Sequence, residues 1–288
     1  MKFQYIDVHA HVNFPEYDKD REEVIQRALN EGVYVVNVGT NLESSRVAIS
    51  IAEKYDDGVY AIVGIHPHEV MELEEKGLIE SSLAVLRELS KHEKVIGIGE
   101  CGLDYFKIEE YNTVPDGEDG AKNDEDLVDR VNKVKEIQEK VFRGQIDIAI
   151  EINKPLMLHV RDSYRKTLEI LNTFFGVHDV RSRGNVHFFA GTLEDAKAFI
   201  ICGFTISFTG VITFAKSYED LIKEIPLDKI LSETDCPFVA PVPFRGKRAE
   251  PVHVKLVVQK IAEIKGIPTE EAREQIEKNV MQMFFRQF

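Results

Sequence analysis

In the segment IDVHAH, Asp7, His9 and His11 are spaced by two. In a β-strand that period places all three side chains on one face, so the two imidazoles converge on one point. Paired imidazoles at the end of an apolar run are suited to holding a transition-metal ion. Other apolar runs finish the same way. His66 and His68 follow VYAIVG, Glu100 ends KVIGIGE, His159 and then Arg161 close PLMLHVR, His187 lies in NVHFFA, and Asp235 ends KILSETD.

Six of the nine histidines fall at such ends. Burying that many imidazoles with two carboxylates and no cation is costly. Four histidines (His9, His11, His159, His187) and two carboxylates (Glu100, Asp235) exceed what one tetrahedral ion needs. The expectation is therefore two divalent ions (Mg2+, Mn2+ or Zn2+), with Glu100 shared between them; the alternative is one ion with supporting histidines. Such a pair activates water for attack on a phosphoryl or acyl centre. Asp235, beside that water, is the candidate general base, which makes Asp235 and Glu100 the catalytic pair.

Arg161 shares a strand face with His159 and can hold a phosphate oxygen with its guanidinium fork. The competing place for it is an ion pair with Asp162 or another carboxylate at the barrel rim. For His66 both substrate contact and a hydrogen bond to a metal ligand are open. The short basic stretch PFRGKR offers Arg245, Lys247 and Arg248 to a nucleic-acid backbone, or to neighbouring acids such as Glu250. Phe244, Tyr105 and Phe106 are candidate stacking surfaces. Asp7 reads as structural, and Glu233, two residues before Asp235, is left outside the ligand set.

These residues must be positioned by a scaffold that gathers strand ends. Eight short β-branched runs alternate with helix-period segments at 18–30, 42–55, 81–92, 129–153, 163–175, 252–265 and 269–288, the pattern of a parallel sheet wrapped by helices. A (β/α)8 barrel, of α/β class, collects every strand C-terminus on one face, where its active sites lie. Residues 1–288 read as one such domain, with an acidic insertion at 107–130 that holds nine acidic and three basic residues.

The composition, 43% hydrophobic and 30% charged, is that of a globular protein with material for a continuous core. A net charge of −14 works against non-specific attraction to nucleic acid, so a polyanion must be held locally. Cys101, Cys202 and Cys236 lack C-x-x-C spacing, which speaks against a disulfide framework or a thiolate zinc site. No apolar run spans a bilayer and no leader precedes the first strand, so a cytoplasmic protein with no membrane and no obligate protein partner is expected.

The blocks IDVHAHVNF, VGIHPHEV, IGECGLDYF, PLMLHVRDS, VHFFAGT and LSETDCPFVAPVPFRGKRAEP resemble the TatD-type metal-dependent deoxyribonucleases of the amidohydrolase-like superfamily, across nearly the whole chain. The resemblance implies a TIM barrel of the metallo-dependent hydrolase type. It also implies His9, His11, Glu100 and Asp235 on one metal and Glu100, His159 and His187 on the other. The activity it implies is hydrolysis of DNA phosphodiesters, most simply by an exonuclease at single strands or strand ends. The alternative is an ester or amide hydrolase of the same superfamily, including aminoacyl-tRNA deacylation. Two departures stand out: the segment 107–130 is longer and more acidic than usual, and Phe188 replaces a common Cys.

Overall fold

The computed structural model describes residues 4–108, 124–175 and 183–285. Eight parallel strands follow one another around a barrel in chain order: β1 Tyr5–Ala10, β2 Val33–Val38, β3 Val59–Val63, β4 Val95–Asp104, β5 Leu156–Arg161, β6 Gly184–Val186, β7 Phe204–Phe208 and β8 Ile230–Ser232. The ring closes beyond the strands themselves. Ala10 bridges Cys236, while His11 N–H donates to Cys236 O and Asp235 N–H to His9 O. Closure thus runs through the residues that carry the first and last chemical groups.

The strands are almost wholly buried, β4 along all of its ten residues. Parallel strands covered on both faces need this Val and Ile content, because neither face meets water. The helices between them are α1 Arg21–Asn30, α2 Leu42–Ala52, α3 Val70–Glu75, α4 Ile79–Leu89, α5 Asp124–Ile152, α6 Tyr164–Phe174, α7 Leu193–Ile201 and α8 Glu219–Glu224. Two further helices, α9 Val254–Lys265 and α10 Thr269–Phe284, pack behind β1 and β8. Their apolar stripes meet the outer side of the strands. Val257, Val258, Ile261 and Ile276 join the core through them.

Capping explains where several helices begin. Asn41 and Thr192 each accept from the backbone N–H of the third helical residue, Ser44 and Asp195, whose side chains return the bond. Three elements differ from the expectation. The acidic insertion does not run to Arg130, because α5 has begun by Asp124; residues 109–123 lie outside the described residues. Strand β4 does not stop at Glu100 but continues to Asp104. Strand β3 ends at Val63, so His66 and His68 sit in the turn that follows it.

Close approach of strands requires glycine at position 102. Gly102 sits at φ +141 in β4, and a Cβ there would lie 2.0 Å from the carbonyl oxygen of His159 on β5. Only glycine lets the two strands pair at the level of His159.

Candidate metal centre

The centre is built around Glu100, which projects from the middle of β4 and is 4% exposed. One carboxylate oxygen, Oε2, lies 3.4 Å from His9 Nε2 and 3.7 Å from His11 Nε2. The other, Oε1, lies 2.9 Å from His159 Nδ1, 2.9 Å from His187 Nε2 and 3.4 Å from His66 Nε2. Asp235 closes the first group, its Oδ1 3.4 Å from His11 Nε2 and 3.7 Å from His9 Nε2. All six sequence-proposed ligands therefore meet in one place.

Backbone geometry aims several of these groups. Asp235 lies beyond the end of β8 at φ +53, in the left-handed region, which turns its carboxylate toward His9 and His11. That conformation costs about 1 kcal/mol for a residue other than glycine. His11 is held from behind, with its Nδ1 2.8 Å from Val38 O on β2, and Phe14 stacks on its ring at 4.4 Å. With Nδ1 so engaged as a donor, Nε2 is left to face the carboxylates.

Helix α5 fixes two more positions. Gln145 receives the N–H of Ile65 and donates to Ile65 O, which clamps the turn carrying His66. Gln138, two helical turns earlier on the same face, does the same for Asp104: it accepts from Asp104 N–H and donates to Asp104 O. Both amides are buried. Asp104 in turn places Oδ2 2.8 Å from His159 Nε2 and 3.1 Å from His68 Nε2. Asp104 was not among the sequence candidates. Its signal was its parity with Glu100 along a strand that continues past it.

Charges within the cluster offset one another. Burial alone would raise the Glu100 pKa, but the charges of His187 and His66 and the hydrogen bonds from His159 and His187 hold it well below the carboxylate range. Asp235, likewise buried, is held down by the His11 hydrogen bond and the charge of His9. Burial opposes protonation of His187, yet Glu100 and Glu233 raise its pKa well above the usual histidine value. His66 goes the other way: burial and the charge of His159 bring it to about 4.

The donor set fits divalent metal. Imidazole nitrogens face one another at 3.1 Å (His9 Nε2 and His11 Nε2) and 3.4 Å (His187 Nε2 and His159 Nδ1), and buried carboxylate oxygens lie between them. The groups that can surround one ion are His9, His187 and Asp235; His9, His11 and Glu100; and His66, Glu100 and His159. His66 stands against this cluster, its Nε2 3.4 Å from Glu100 Oε1. Asp7 is engaged by backbone and hydroxyl, accepting from Thr234 N–H and Thr234 Oγ1.

At the rim, Arg161 does not pair with Asp162. Its guanidinium lies 3.6 Å over the ring of Phe106, and Arg245 lies 3.9 Å over Phe214. Both are exposed. Arg248 is committed elsewhere, to Asp20 and Glu250, and Phe244 is packed against His253. Tyr105 bonds to Glu139. Phe238, which is 49% exposed, stands beside the centre, edge-on to His11 at 6.5 Å and to Phe14 at 6.4 Å.

A parallel barrel with a buried histidine and carboxylate cluster at its strand ends defines a metal-dependent hydrolase. The TatD family model, described as TatD related DNase, matches residues 6–285, and the chain belongs to that family. An uncharacterized metal-dependent hydrolase of Bacillus subtilis, YabD, is 40% identical over 96% of this chain and 98% of its own length. The 3'-5' ssDNA/RNA exonuclease TatD of Pectobacterium parmentieri is 28% identical over 90% of this chain and 91% of its own. Among solved structures, YJJV, a TatD homologue of Escherichia coli, superposes with a TM-score of 0.80 at 28% identity, covering 99% of both chains. The protein is thus a metal-dependent hydrolase of the TatD family. Among the described residues, no helix is long and apolar enough to cross a membrane.

Proposed function

We propose that this hydrolase cleaves the phosphodiester bonds of DNA, as an exonuclease on single strands or strand ends, using two divalent ions. The observation that carries the reading is the division of labour at Glu100. One of its oxygens faces His9 and His11, and the other faces His159, His187 and His66. A carboxylate so placed can be shared by two ions: His9, His11 and Asp235 are the residues that would hold one, and His159 and His187 those that would hold the other. The chemistry that such ions supply is acidification of a shared water and neutralisation of charge on the phosphoryl oxygens.

The remaining steps belong to side chains. Asp235, held ionised by His11 and His9, takes up the proton of the attacking water on its carboxylate. Arg161 and Arg245, exposed and laid on Phe106 and Phe214, hold the non-bridging oxygens of phosphates on either side of the centre. Phe238 gives a terminal base an apolar face next to His11. The likeness to a 3'-5' ssDNA/RNA exonuclease supports the choice of substrate.

The test is release of mononucleotides from single-stranded DNA by protein loaded with Mg2+, Mn2+ or Zn2+. A carboxylic ester and an aminoacyl-tRNA are assayed alongside. Turnover of DNA supports the reading; turnover of the acyl substrates alone, or of none with any metal, contradicts it.

A further inference from the structure

A chain of buried polar side chains runs through the barrel wall from β7 to the metal centre. Thr205 Oγ1 lies 3.0 Å from Asn185 Oδ1, Asn185 Nδ2 lies 2.6 Å from Ser207 Oγ, and Ser207 Oγ lies 2.6 Å from Glu233 Oε2. Glu233 Oε1 accepts the N–H of Phe188 at 2.7 Å and is a charged neighbour of His187 Nδ1 at 3.4 Å, a ring nitrogen that makes no hydrogen bond among the described residues. Asn185, Ser207 and Glu233 are fully buried, and Thr205 is nearly so. Apart from Glu233, which lies between Thr234 and the strand end, these residues interrupt runs that are otherwise apolar.

The directions of these bonds are not free. Asn185 Nδ2 also lies 3.5 Å from Met157 Sδ, which can only accept, so the NH2 side of the amide faces Met157 and Ser207. Its oxygen therefore faces Thr205, whose hydroxyl donates to it at 3.0 Å with Gly184 O the longer alternative at 3.3 Å. Ser207, already accepting from Asn185, has one proton to give. The candidates are Val186 O at 3.4 Å and Glu233 Oε2 at 2.6 Å, and the short charge-assisted bond wins. Both oxygens of Glu233 are then acceptors, Oε2 from Ser207 and Oε1 from Phe188 N–H. The carboxylate cannot swing, and Oε1 stays beside His187 Nδ1.

We propose that Asn185 and Ser207 are positioning residues for the metal centre: through Glu233 they hold a carboxylate oxygen beside Nδ1 of His187 and so keep the ring turned with Nε2 toward Glu100 and the metal site. The inference rests on reading His187 as a metal ligand. An imidazole that ligates metal through one nitrogen is commonly oriented by an acceptor on the other, and loss of that support lowers metal affinity by about 10–100-fold.

The experiment is zinc binding to metal-stripped protein in competition with a chelating dye. The variants are Ser207→Ala, Thr205→Val and, as a control, Thr167→Val, whose buried hydroxyl makes no hydrogen bond among the described residues. Thermal melts of the metal-free proteins are recorded in parallel. Ser207→Ala is expected to weaken zinc binding by about tenfold, Thr205→Val in the same direction by less, and Thr167→Val not at all. A merely structural role would lower the melting temperature and leave zinc affinity where it was. Should Ser207→Ala fail to fold, the isosteric Thr205→Val carries the test. Zinc bound alike by wild type, Ser207→Ala and Thr205→Val overturns this inference alone; a wild type that binds no zinc overturns the ligand assignment of His187 and this inference with it.

Discussion

Asp104 and His159 face each other at 2.8 Å, carboxylate Oδ2 to ring Nε2, while the other ring nitrogen of His159 points at Glu100. An acceptor on one side of an imidazole and a ligand cluster on the other is the arrangement that orients a metal-binding histidine. Asp104→Asn keeps the shape and can turn an N–H toward His159. Zinc affinity of the metal-stripped variant is expected to fall by about 10–100-fold, read by chelator competition. Unchanged affinity would make Asp104 a bystander.

Gln138 supplies both partners of the Asp104 backbone from helix α5. Gln138→Leu leaves a buried N–H and a buried C=O without them. Unfolding in urea should show a loss of about 2 kcal/mol, since each unsatisfied group costs about 1–3 kcal/mol. The same variant should weaken metal binding in the direction of Asp104→Asn. A variant as stable as wild type would mean that water replaces the amide.

Much of the site was legible because strand period and strand ends do the placing. His9, His11, Glu100, His159, His187 and Asp235 each stand at or near the end of an apolar run, and the barrel brings those ends together. Asp104 was hidden by reading β4 as ending at Glu100. The runs around Asn185 and Ser207 look apolar, and their bonds cross between β6, β7 and β8, which spacing along one strand does not encode. Gln138 and Gln145 sit inside an amphipathic helix whose polar positions carry no sign of which backbone they will clamp. Short helices such as α7 and α8 have too few turns to show a clear period.

Arg161 and Arg245 hold their guanidiniums on aromatic rings at the rim. Arg161→Met and Arg245→Met are expected to raise KM for a single-stranded oligonucleotide more than they lower kcat. Each should also flatten the salt dependence, by a slope of about 0.7 per phosphate contact removed. Equal salt slopes in wild type and variants would place the DNA backbone elsewhere.

Gly102 permits β4 and β5 to approach at the level of His159. A methyl group there meets backbone, not a flexible side chain, and φ +141 is unfavourable for alanine. Gly102→Ala is expected to destabilise the protein by about 3 kcal/mol or more in denaturant unfolding, through overpacking and backbone strain together. A loss below about 1 kcal/mol would show that the two strands can part without consequence.

The bridging role of Glu100 is tested most directly by metal analysis of wild type and Glu100→Ala, each loaded with Zn2+ or Mn2+, freed of excess and assayed on single-stranded DNA. Wild type should carry two ions per chain and Glu100→Ala fewer, with activity lower by about a thousandfold, equivalent to ~4 kcal/mol of barrier. A Glu100→Ala protein that keeps both ions and its full activity would contradict the shared-carboxylate centre.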